Sequence, residues 1–474
     1  MRRNILKSRN KSGEKFIPLN GAKYFFLLMG LCFTLSACAS LPKTVTRRDP
    51  LAELSVSKGF QDGAPMDSQV VNGLMDVFQD EGVQKLVTRA MEANLEIKLA
   101  DRKLQELQYT AEAAKGDLLP KLAAYFSGDR TRDGQAASEG KYSPSVAVSW
   151  EVDIWKKLRN QKTAQDTIAL AGAENYQAVR DAVAARVMQE WFDVVTAQKT
   201  MELTRSRLKN LEKSADNIRR RYRTGLSFLE DLVVVKRDIA QARAALIDNE
   251  MVRNTARRRL QVLMGQPPEG IPGVAYTLPR LLLPPAPGTP ASLLVSRPDL
   301  RRAWQTVKAE DARVKVAHAR IFPSLTLTGA LGRQTRSFSD FMQGITIWSI
   351  AGQLAFPIFN ADQLENRMMA AQSKAEQAWI RYLQTALTAF QEVAQALDGE
   401  KILADQERQQ QEAVFQARRT ARIFESRYKT GLVGILEYLA PQNTVFNMEK
   451  ELLKIRNARL KNRVALALAL GKGV

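Results

Sequence analysis

The chain has 474 residues and a formal net charge of +20, with 70 lysines and arginines against 50 acidic residues. It contains one histidine, His318, and two cysteines, Cys32 and Cys38, which argues against His/Cys metal sites, thiol nucleophiles and disulfide scaffolds in its body. No apolar stretch reaches the ~20 residues of a membrane-spanning helix, so a polytopic helical membrane protein is excluded.

The N-terminal 37 residues have the order of an export signal. Basic residues dominate positions 1–23, the apolar run Tyr24–Leu35 follows, and small residues precede Cys38. The four residues ending at Cys38, Leu-Ser-Ala-Cys, resemble a bacterial lipobox, in which the cysteine is acylated and becomes the first mature residue. An ordinary signal or a short membrane anchor is the alternative. We therefore predict a lipoprotein signal peptide over 1–37 and an acylated, extended segment over 38–75.

The remainder of the chain consists of two copies of one unit. The segment Arg221–Leu226 recurs 206 residues later as Arg427–Leu432, and the match continues without a gap. Nine of the 18 prolines lie in one stretch between the copies, a composition that cannot form a helix. We predict a first structural repeat over 76–266, a Pro-rich linker over 267–298 and a second repeat over 299–474.

Each repeat is predicted to contain two strands followed by two long helices. Apolar residues alternate with small or polar ones in four segments, the period of a strand with two different faces. The predicted strands are about 120–130, 143–152, 323–333 and 345–357. Windows rich in helix-forming residues follow the strands. The predicted long helices are 157–224, 228–264, 361–430 and 434–470.

The sequence of the predicted helix 361–430 indicates how this helix packs. Leu364 to Ala396 form a heptad seam with one stutter, and a second apolar line runs beside it from Trp379 to Leu397. Two packing faces are typical of a helix within a closed ring of helices. An ordinary long coiled coil has the same heptads and remains an alternative.

The number of strands predicts self-assembly. Strands of ~9 to 11 residues suit an outer-membrane barrel, and a sheet in lipid must close because its edge N–H and C=O groups would otherwise lack partners. The smallest closed barrels have about eight strands. Four strands per chain are too few, so two chains would give eight strands and three would give twelve. A soluble, half-buried sheet gives the same alternation.

Taken together, these motifs resemble the TolC-like family of outer-membrane efflux factors, in particular the NodT-type lipoproteins of resistance-nodulation-division systems. The resemblance covers about residues 70–474 and the lipobox, and it rests on the duplicated Arg-Tyr-x-Thr-Gly-Leu turns, on the matching strand-to-helix joints Trp150–Trp155 and Leu354–Phe359, and on the final Ala-Leu-Ala-Leu-Gly of 467–471. It implies a mainly α fold with a small β part. Three chains would form a twelve-stranded transmembrane β-barrel continued by a periplasmic α-helical barrel.

The same resemblance implies a function. The chain would be the outer-membrane channel of a tripartite efflux system, passively conducting drugs or other small solutes without a catalytic step. Expected partners are two further copies of the chain, a periplasmic membrane-fusion adaptor, an inner-membrane transporter and outer-membrane lipid, but no nucleic acid. No cofactor is expected beyond the diacylglycerol and acyl chain on Cys38. Ala39 follows that cysteine, where lipoproteins held at the inner membrane usually carry aspartate.

The two repeated turns are the expected adaptor-binding tip at the periplasmic end. Their glycines suit positive φ or close approach of a partner, and exposed loops commonly carry recognition. Simple helix-terminating caps are the alternative. The predicted contact residues are Tyr222, Thr224, Gly225, Leu226, Tyr428, Thr430, Gly431 and Leu432.

In the family, inward side chains just after the second turn close the tunnel. Glu437 matches one acidic position, Leu436 lies beside it, and Asp231 is its counterpart in the first copy. The second acidic position of the family is occupied here by Ala440, followed by Pro441, which departs from the pattern. The alternative is a solvated carboxylate in the first turn of a helix.

Other functions compete with the channel. The duct of a type I protein secretion system shares the architecture, and a periplasmic scaffold without a pore shares the coiled-coil pattern. An enzyme is the least favoured class, since His318 has no accompanying cluster of ligands or bases. Lysines and arginines alternate with acids along the helices, which favours solvated faces over nucleic-acid binding. The basic cluster at 219–223 lies beside the first turn, and any electrostatic contact that it makes with an acidic partner should weaken with salt.

Overall fold

The structure is a computed structural model, and the contacts divide the chain into the units Met1–Arg48 and Asp49–Val474. The described residues are 47, 49–55, 73–78, 80–132, 134, 139–225, 227–269, 277–281, 283–340 and 343–474. Cys38, the predicted signal peptide and Leu226 lie outside this set. Everything that follows concerns the second unit.

Two helices precede the sheet, α1 (Glu81–Ala93) and α2 (Leu95–Gly116), after a helical turn at Pro50–Glu53 and a 3-10 turn at Leu74–Val77. The side chain of Asp80 accepts hydrogen bonds from two backbone N–H groups at the start of α1, and that of Asn94 does the same for α2. These caps satisfy N–H groups that have no partner within the helix and so fix where each helix begins.

Four antiparallel strands form one sheet in the order β1 (Lys121–Thr131), β2 (Glu139–Val152), β3 (Ser324–Gln334) and β4 (Ile345–Ala355). β2 begins earlier than the predicted 143, since Glu139 already pairs with Thr131. Proline and glycine interrupt the alternation in this part of β2, which hides the strand period. β4 ends before the predicted 357 because Pro357 has no N–H for the ladder.

The register gives the sheet two unlike faces. Trp150 lies opposite Leu327, and Leu325 lies opposite Leu354, so large apolar side chains gather on one face. Their neighbours along the strands, such as Ser149 opposite Thr328, place small or polar side chains on the other face. β1 and β4 are the two edges of the sheet.

The remaining helices are α3 (Lys157–Arg223), α4 (Leu229–Leu263), α5 (Pro290–Ser296), α6 (Pro298–Ala319), α7 (Gln363–Lys429) and α8 (Ile435–Ala469). α3 and α7 each have 67 residues, about 100 Å at 1.5 Å per residue. α4 and α8 each have 35. The mainly α fold with a four-stranded sheet, predicted from the sequence, is confirmed.

The two copies share their backbone conformation as well as their helix lengths. α2 and β1 precede their counterparts α6 and β3 by 203 residues, whereas β2, α3 and α4 precede β4, α7 and α8 by 206. The difference arises in the loops 132–138 and 335–344, of which the second is longer. Positive φ values recur at equivalent places, at Lys156 and Asp362, Gly225 and Gly431, and Gly265 and Gly471.

Equivalent hydrogen bonds join the first part of each copy to the end of its last helix. The Asn94 side-chain amide donates to the carbonyl of Leu263 over 2.7 Å, and the Arg297 guanidinium donates to that of Ala469 over 3.1 Å. Each bond satisfies a C-terminal carbonyl that has no partner within its helix. In this way the residue before α2 or α6 fixes the end of α4 or α8.

The largest core cluster joins α1, α3, α4 and α8, with Phe192, Leu260 and Val464 fully buried. A second cluster joins α6 to α7 around Leu300 and Ala386. Within the part of the chain that is described, no helix is at once long and apolar enough to cross a bilayer.

Candidate functional site

The two predicted tip turns follow α3 and α7 and have the same hydrogen bonds. In the first, the hydroxyl of Thr224 donates to the carbonyl of Arg221 over 2.9 Å. In the second, the hydroxyl of Thr430 donates to the carbonyl of Arg427 over 3.0 Å. The threonines therefore terminate the long helices by binding their last carbonyls.

Each turn requires glycine because of its backbone conformation, and not because neighbouring atoms leave no room for a side chain. Gly225 has φ 75° and Gly431 has φ 77°, values in the left-handed region that side chains with a Cβ disfavour. A Cβ added at either position would meet nothing within 4 Å. Leu432 beside the second glycine is 76% exposed. The glycines cap their helices and leave the turns accessible.

The two tip tyrosines are equivalent in sequence but not in structure. Tyr222 is exposed, whereas the ring of Tyr428 stacks on Tyr438 at 4.9 Å between centroids and lies 5.3 Å from the guanidinium carbon of Arg221. Burial raises the pKa of the Tyr428 hydroxyl, against the lowering effect of Arg221. Tyr428 therefore ties the second turn to the end of α3.

A small apolar cluster holds the two turns side by side. It contains residues of α3, α4 and α8, namely Leu211, Ala215, Ile218, Leu232, Val235, Ala242, Ile435 and Leu439. Because this cluster includes the first turns of both α4 and α8, the two predicted contact regions form one surface.

Both predicted aperture carboxylates cap the helices that follow the turns. Glu437 accepts a hydrogen bond from the N–H of Gly434 over 2.7 Å. Asp231 accepts one from the N–H of Phe228 over 3.3 Å and one from the hydroxyl of Ser227 over 2.7 Å. Leu436 is 58% exposed. Negative charge at a helix N-terminus is favourable, so the structure shows a structural role for both carboxylates.

Pro441 lies inside α8, one turn after Glu437. Proline has no N–H, so the carbonyl of Glu437 receives no helical hydrogen bond from position 441. The hydroxyl of Thr444 donates to the carbonyl of Ala440 over 3.1 Å. The helix is therefore weakened just beyond the predicted aperture.

The arginines of the basic cluster have different partners. Arg219 pairs with Asp216 at 3.1 Å, Arg220 bonds the Asn217 amide, and Arg221 lies over Tyr428. Arg223 is exposed at the end of α3. Two of the four arginines thus bind side chains of their own helix.

An ionic network between α7 and α8 was not predicted. Arg463 and Glu400 are 1% and 4% exposed, and the guanidinium donates to the carboxylate over 3.1 Å. Arg459 bridges Glu400 and Glu407, at 3.1 and 3.0 Å. Glu407 also accepts from Arg456 over 2.9 Å. The signal was present in the sequence, because Glu400 and Glu407 continue the heptad spacing of the seam beyond Ala396.

The network sets the charge state of Glu407. Burial raises the pKa of this carboxyl, but the hydrogen bonds and charges of Arg459 and Arg456 outweigh burial and hold the pKa below its usual value. Glu407 is therefore ionised at neutral pH.

The remaining candidates for chemistry are the histidine and a cluster of metal ligands. His318 packs edge to face with Phe322, with 5.2 Å between ring centroids. Across the ranges that the structure describes, no three histidine, cysteine or acidic side chains are grouped so as to hold a metal ion.

A family model described as outer membrane efflux protein matches residues 86–266 and 289–472. The probable outer membrane lipoprotein SilC of Salmonella typhimurium is 27% identical over 463 residues, covering 95% of this chain and 99% of SilC. The toluene efflux pump outer membrane protein TtgC of Pseudomonas putida is 26% identical over 457 residues, covering 93% of this chain and 94% of TtgC.

The cation efflux system protein CusC of Escherichia coli is 26% identical over 407 residues, covering 85% of this chain and 89% of CusC. A crystal structure of CusC, described in terms of transmembrane channel formation, superposes with a TM-score of 0.82 at 25% identity, covering 92% of this chain and 100% of that one. The similarity therefore includes the sheet as well as the helices.

Proposed function

We propose that this chain, which belongs to the outer membrane efflux protein family, joins a periplasmic adaptor and an inner-membrane pump through the surface formed by its two turns. The resemblance to TolC-like efflux factors is confirmed, and the chain is an outer-membrane efflux channel. SilC, TtgC and CusC carry outer-membrane or efflux names and none of the three is named for protein secretion, so the secretion alternative has no support. The observation that carries the proposal is the pairing of a two-faced sheet with two equivalent helical hairpins.

The working form is proposed to be a homotrimer. The sheet has two edge strands, and in lipid their free N–H and C=O groups require partners. Three chains pairing β4 of one with β1 of the next supply twelve strands, above the minimum of about eight. The large apolar residues then face lipid and the small polar ones face the lumen.

The N-terminus is proposed to carry a lipid. Cys38 would hold the diacylglycerol and acyl chain, and the name of SilC as a lipoprotein supports this modification. The lipid would add an anchor beside the barrel.

The cargo is proposed to be small solutes received from the pump. CusC is named for cation efflux and TtgC for toluene efflux, two cargoes with no common chemistry. We infer that the pump selects the cargo and supplies the energy, and that this chain conducts passively and performs no catalytic step.

The adaptor is proposed to bind the surface that contains both turns. Tyr222, Thr224, Gly225, Thr430 and Leu432 are exposed there. Tyr428 would support this surface from within, since it stacks on Tyr438.

The aperture is proposed to lie at Leu436 and Glu437, with Asp231 beside them. Glu437 caps α8 from the third position of the helix, where glutamine serves as well as glutamate. Glu437→Gln therefore removes the charge and keeps the cap, whereas Glu437→Ala removes both.

The test is single-channel conductance of the purified mature protein in planar bilayers, with the oligomer mass measured on the same preparation. We expect a trimer whose small conductance rises in Glu437→Gln and rises further in Glu437→Ala. Glu376→Gln, an exposed acid on α7 far from the turns, is the control and should leave conductance unchanged. A non-conducting monomer would overturn the channel, and equal conductance in all variants would overturn the aperture.

A further inference from the structure

Two connected grooves lie where the sheet joins the helices. One, of about 480 Å³, lies between the start of α3, the end of α6 and the start of α7. The other, of about 610 Å³, extends from there to the ends of β2, β3 and β4. Arg320, Leu364 and Arg367 line both grooves. The grooves therefore form one continuous surface centred on these two arginines.

Three cations on this surface have no partner. Arg320, Arg367 and Lys374 are exposed, and their side chains make no hydrogen bond or ion pair with any residue that the structure describes. Their positive charges are therefore available to a ligand.

The acidic residues of the same surface are already engaged. Glu310 pairs with Arg313, and Glu151 pairs with Lys157. Asp153 accepts hydrogen bonds from the backbone N–H groups at the start of α3, at 2.9 and 3.0 Å. Free positive charge consequently exceeds free negative charge along the grooves.

The register of the sheet shows which side this surface occupies. Glu151, Ser324 and Ala355 line the groove, and all three lie on the face that carries small or polar side chains. The fourth strand residue that lines the groove, Val152, lies opposite Leu325 on the apolar face. Three of the four strand residues in the lining thus belong to the polar face, and the groove opens mainly on that side of the sheet.

The groove-lining arginines of α6 and its packed tryptophan lie on different sides of the helix. Trp304 of α6 packs against Tyr382 of α7, and Leu54, which follows the turn Pro50–Glu53, packs against the same cluster. Arg313 and Arg320 follow Trp304 by nine and sixteen residues, about two and a half and four and a half turns. They therefore lie on the side of α6 opposite Trp304.

We propose that Arg320, Arg367 and Lys374 form an anion-binding patch in the wall of the conduit, just below the barrel. The proposal rests on the assembly proposed above, which repeats the patch in each of three chains around one axis. Guanidinium groups bind carboxylates and phosphates through paired hydrogen bonds, and a confined ring of positive charge concentrates anions. The patch favours passage of anionic solutes.

The patch belongs to the second copy alone. The residues equivalent to Arg320, Arg367 and Lys374 in the first copy are Asp117, Gln161 and Ile168. Asp117 accepts a hydrogen bond from Lys121 over 2.8 Å, so the equivalent place there is acidic and already paired. The charge is a feature of this position and not of the repeated fold.

The first test is binding of tripolyphosphate to the detergent-solubilised trimer by calorimetry. The patch lies between the barrel and the aperture, so the probe reaches it whether or not the aperture is open. In Arg320→Gln/Arg367→Gln we expect the affinity to fall about tenfold or more, as charge-assisted hydrogen bonds are lost. The matched control is Lys308→Gln/Lys315→Gln, two exposed cations on the Trp304 side of α6. It should bind as the native protein does.

The second test adds tripolyphosphate to the barrel side of single channels. Block of the native channel that disappears in Arg320→Gln/Arg367→Gln supports the patch. Absence of binding, equal loss of affinity in the control, or binding without block would each overturn it. A trimer that binds but never conducts would instead overturn the proposed channel, because binding is measured without current.

Discussion

The two helical hairpins have the same lengths and the same register, yet their interiors differ in kind. Where α3 packs in the first copy, Val194 and Met201 are fully buried. The equivalent positions of α7 hold Glu400 and Glu407, which bind arginines of α8. Arg253, the first-copy equivalent of Arg459, donates to the sulfur of Met201 over 3.5 Å, so the same backbone holds uncharged side chains in one copy and carboxylates in the other. The fold therefore depends on where the seam residues recur and not on their chemistry.

The difference predicts that the hairpins resist sliding to different degrees. Apolar side chains pack with little directional preference, whereas Arg459 bridges Glu400 and Glu407 in only one register of α7 against α8. Buried ion pairs add little net stability, but breaking one is costly. The first hairpin has a directional contact in its interior, from the Asn249 amide to the Thr204 hydroxyl over 2.9 Å. We infer that the second hairpin, with its buried carboxylates, has the more strongly fixed register.

The largest expected effect is the loss of stability on replacing a buried residue, which should be greater in the second hairpin than in the first. Glu400→Ala leaves Arg463 buried without this carboxylate and should destabilise the second hairpin by about 3–5 kcal/mol. Val194→Ala, at the equivalent position, should cost about 2 kcal/mol through lost methyl groups and the remaining cavity. Hydrogen exchange of α7 and α8 amides, followed by mass spectrometry, measures the local opening free energy.

A double replacement is the control for this prediction. Glu400→Leu with Arg463→Leu removes both charges and should recover most of the loss, since apolar residues replace buried ion pairs at little cost. If Glu400→Ala alone exchanged like the native protein, the network would have no role in holding the hairpin.

An intermediate loss of stability is expected at two equivalent glycines, Gly265 and Gly471, which have the same backbone conformation in the two copies. A Cβ on Gly265 would lie 2.5 Å from the Ala93 carbonyl oxygen, and one on Gly471 would lie 2.8 Å from the backbone of Ser296. Gly265→Ala and Gly471→Ala should each cost more than about 2 kcal/mol, since the clash adds to a left-handed backbone. Gly225→Ala and Gly431→Ala, where space is open, should cost only about 1 kcal/mol.

Melting temperatures of the four purified variants measure this difference. Equal losses at the joints and at the turns would show that backbone strain alone determines the cost. Unequal losses between Gly265→Ala and Gly471→Ala would show that the two joints are less alike than their contacts indicate.

The smallest expected effect is the change of folding stability with pH. The sign of this change differs between an acidic residue of the first copy and one of the second. Burial raises the pKa of Asp181 in α3, so its protonated form is favoured in the folded state and stability rises as the pH falls through that pKa. The pKa of Glu407 in α7 is lowered, so its contribution is complete above the ordinary value of 4.5 and is lost as the pH falls through the lowered pKa.

Melting temperature between pH 7 and pH 3 tests both signs. Asp181→Asn should remove the gain on mild acidification, and Glu407→Gln should flatten the loss below pH 4.5. Each change should be smaller than those at the glycines. Parallel profiles for the native protein and both variants would contradict the assignment.

Much of the fold could be predicted because long segments repeat one period. The strands follow from alternation, and α3 and α7 follow from proline-free windows with helix-forming residues. The shorter helices α2 and α6 were not predicted as separate elements from the sequence. Asn94 before α2 and Pro298 at the first position of α6 are nevertheless ordinary signals for a helix start. Here the sequence contained the information.

The arrangement of the site was harder to predict because it depends on contacts between distant residues. The stacking of Tyr428 on Tyr438 and its contact with Arg221 join three helices, and no local period encodes such a meeting. For the same reason Tyr222 and Tyr428 were expected to be alike. The alternative for Glu437, a solvated carboxylate in the first turn of a helix, gave its position but not its hydrogen bond from the Gly434 N–H, since spacing from a turn cannot distinguish a cap from an inward side chain.

The loops joining β1 to β2 and β3 to β4 are where the copies differ in length. They lie at the end of the sheet away from the helices, and lengthening a loop costs little closure entropy. In the proposed assembly this end faces the surroundings of the cell. An epitope or fluorophore inserted between residues 335 and 344 would therefore label the protein on intact cells, so that assembled channels could be counted without opening the envelope.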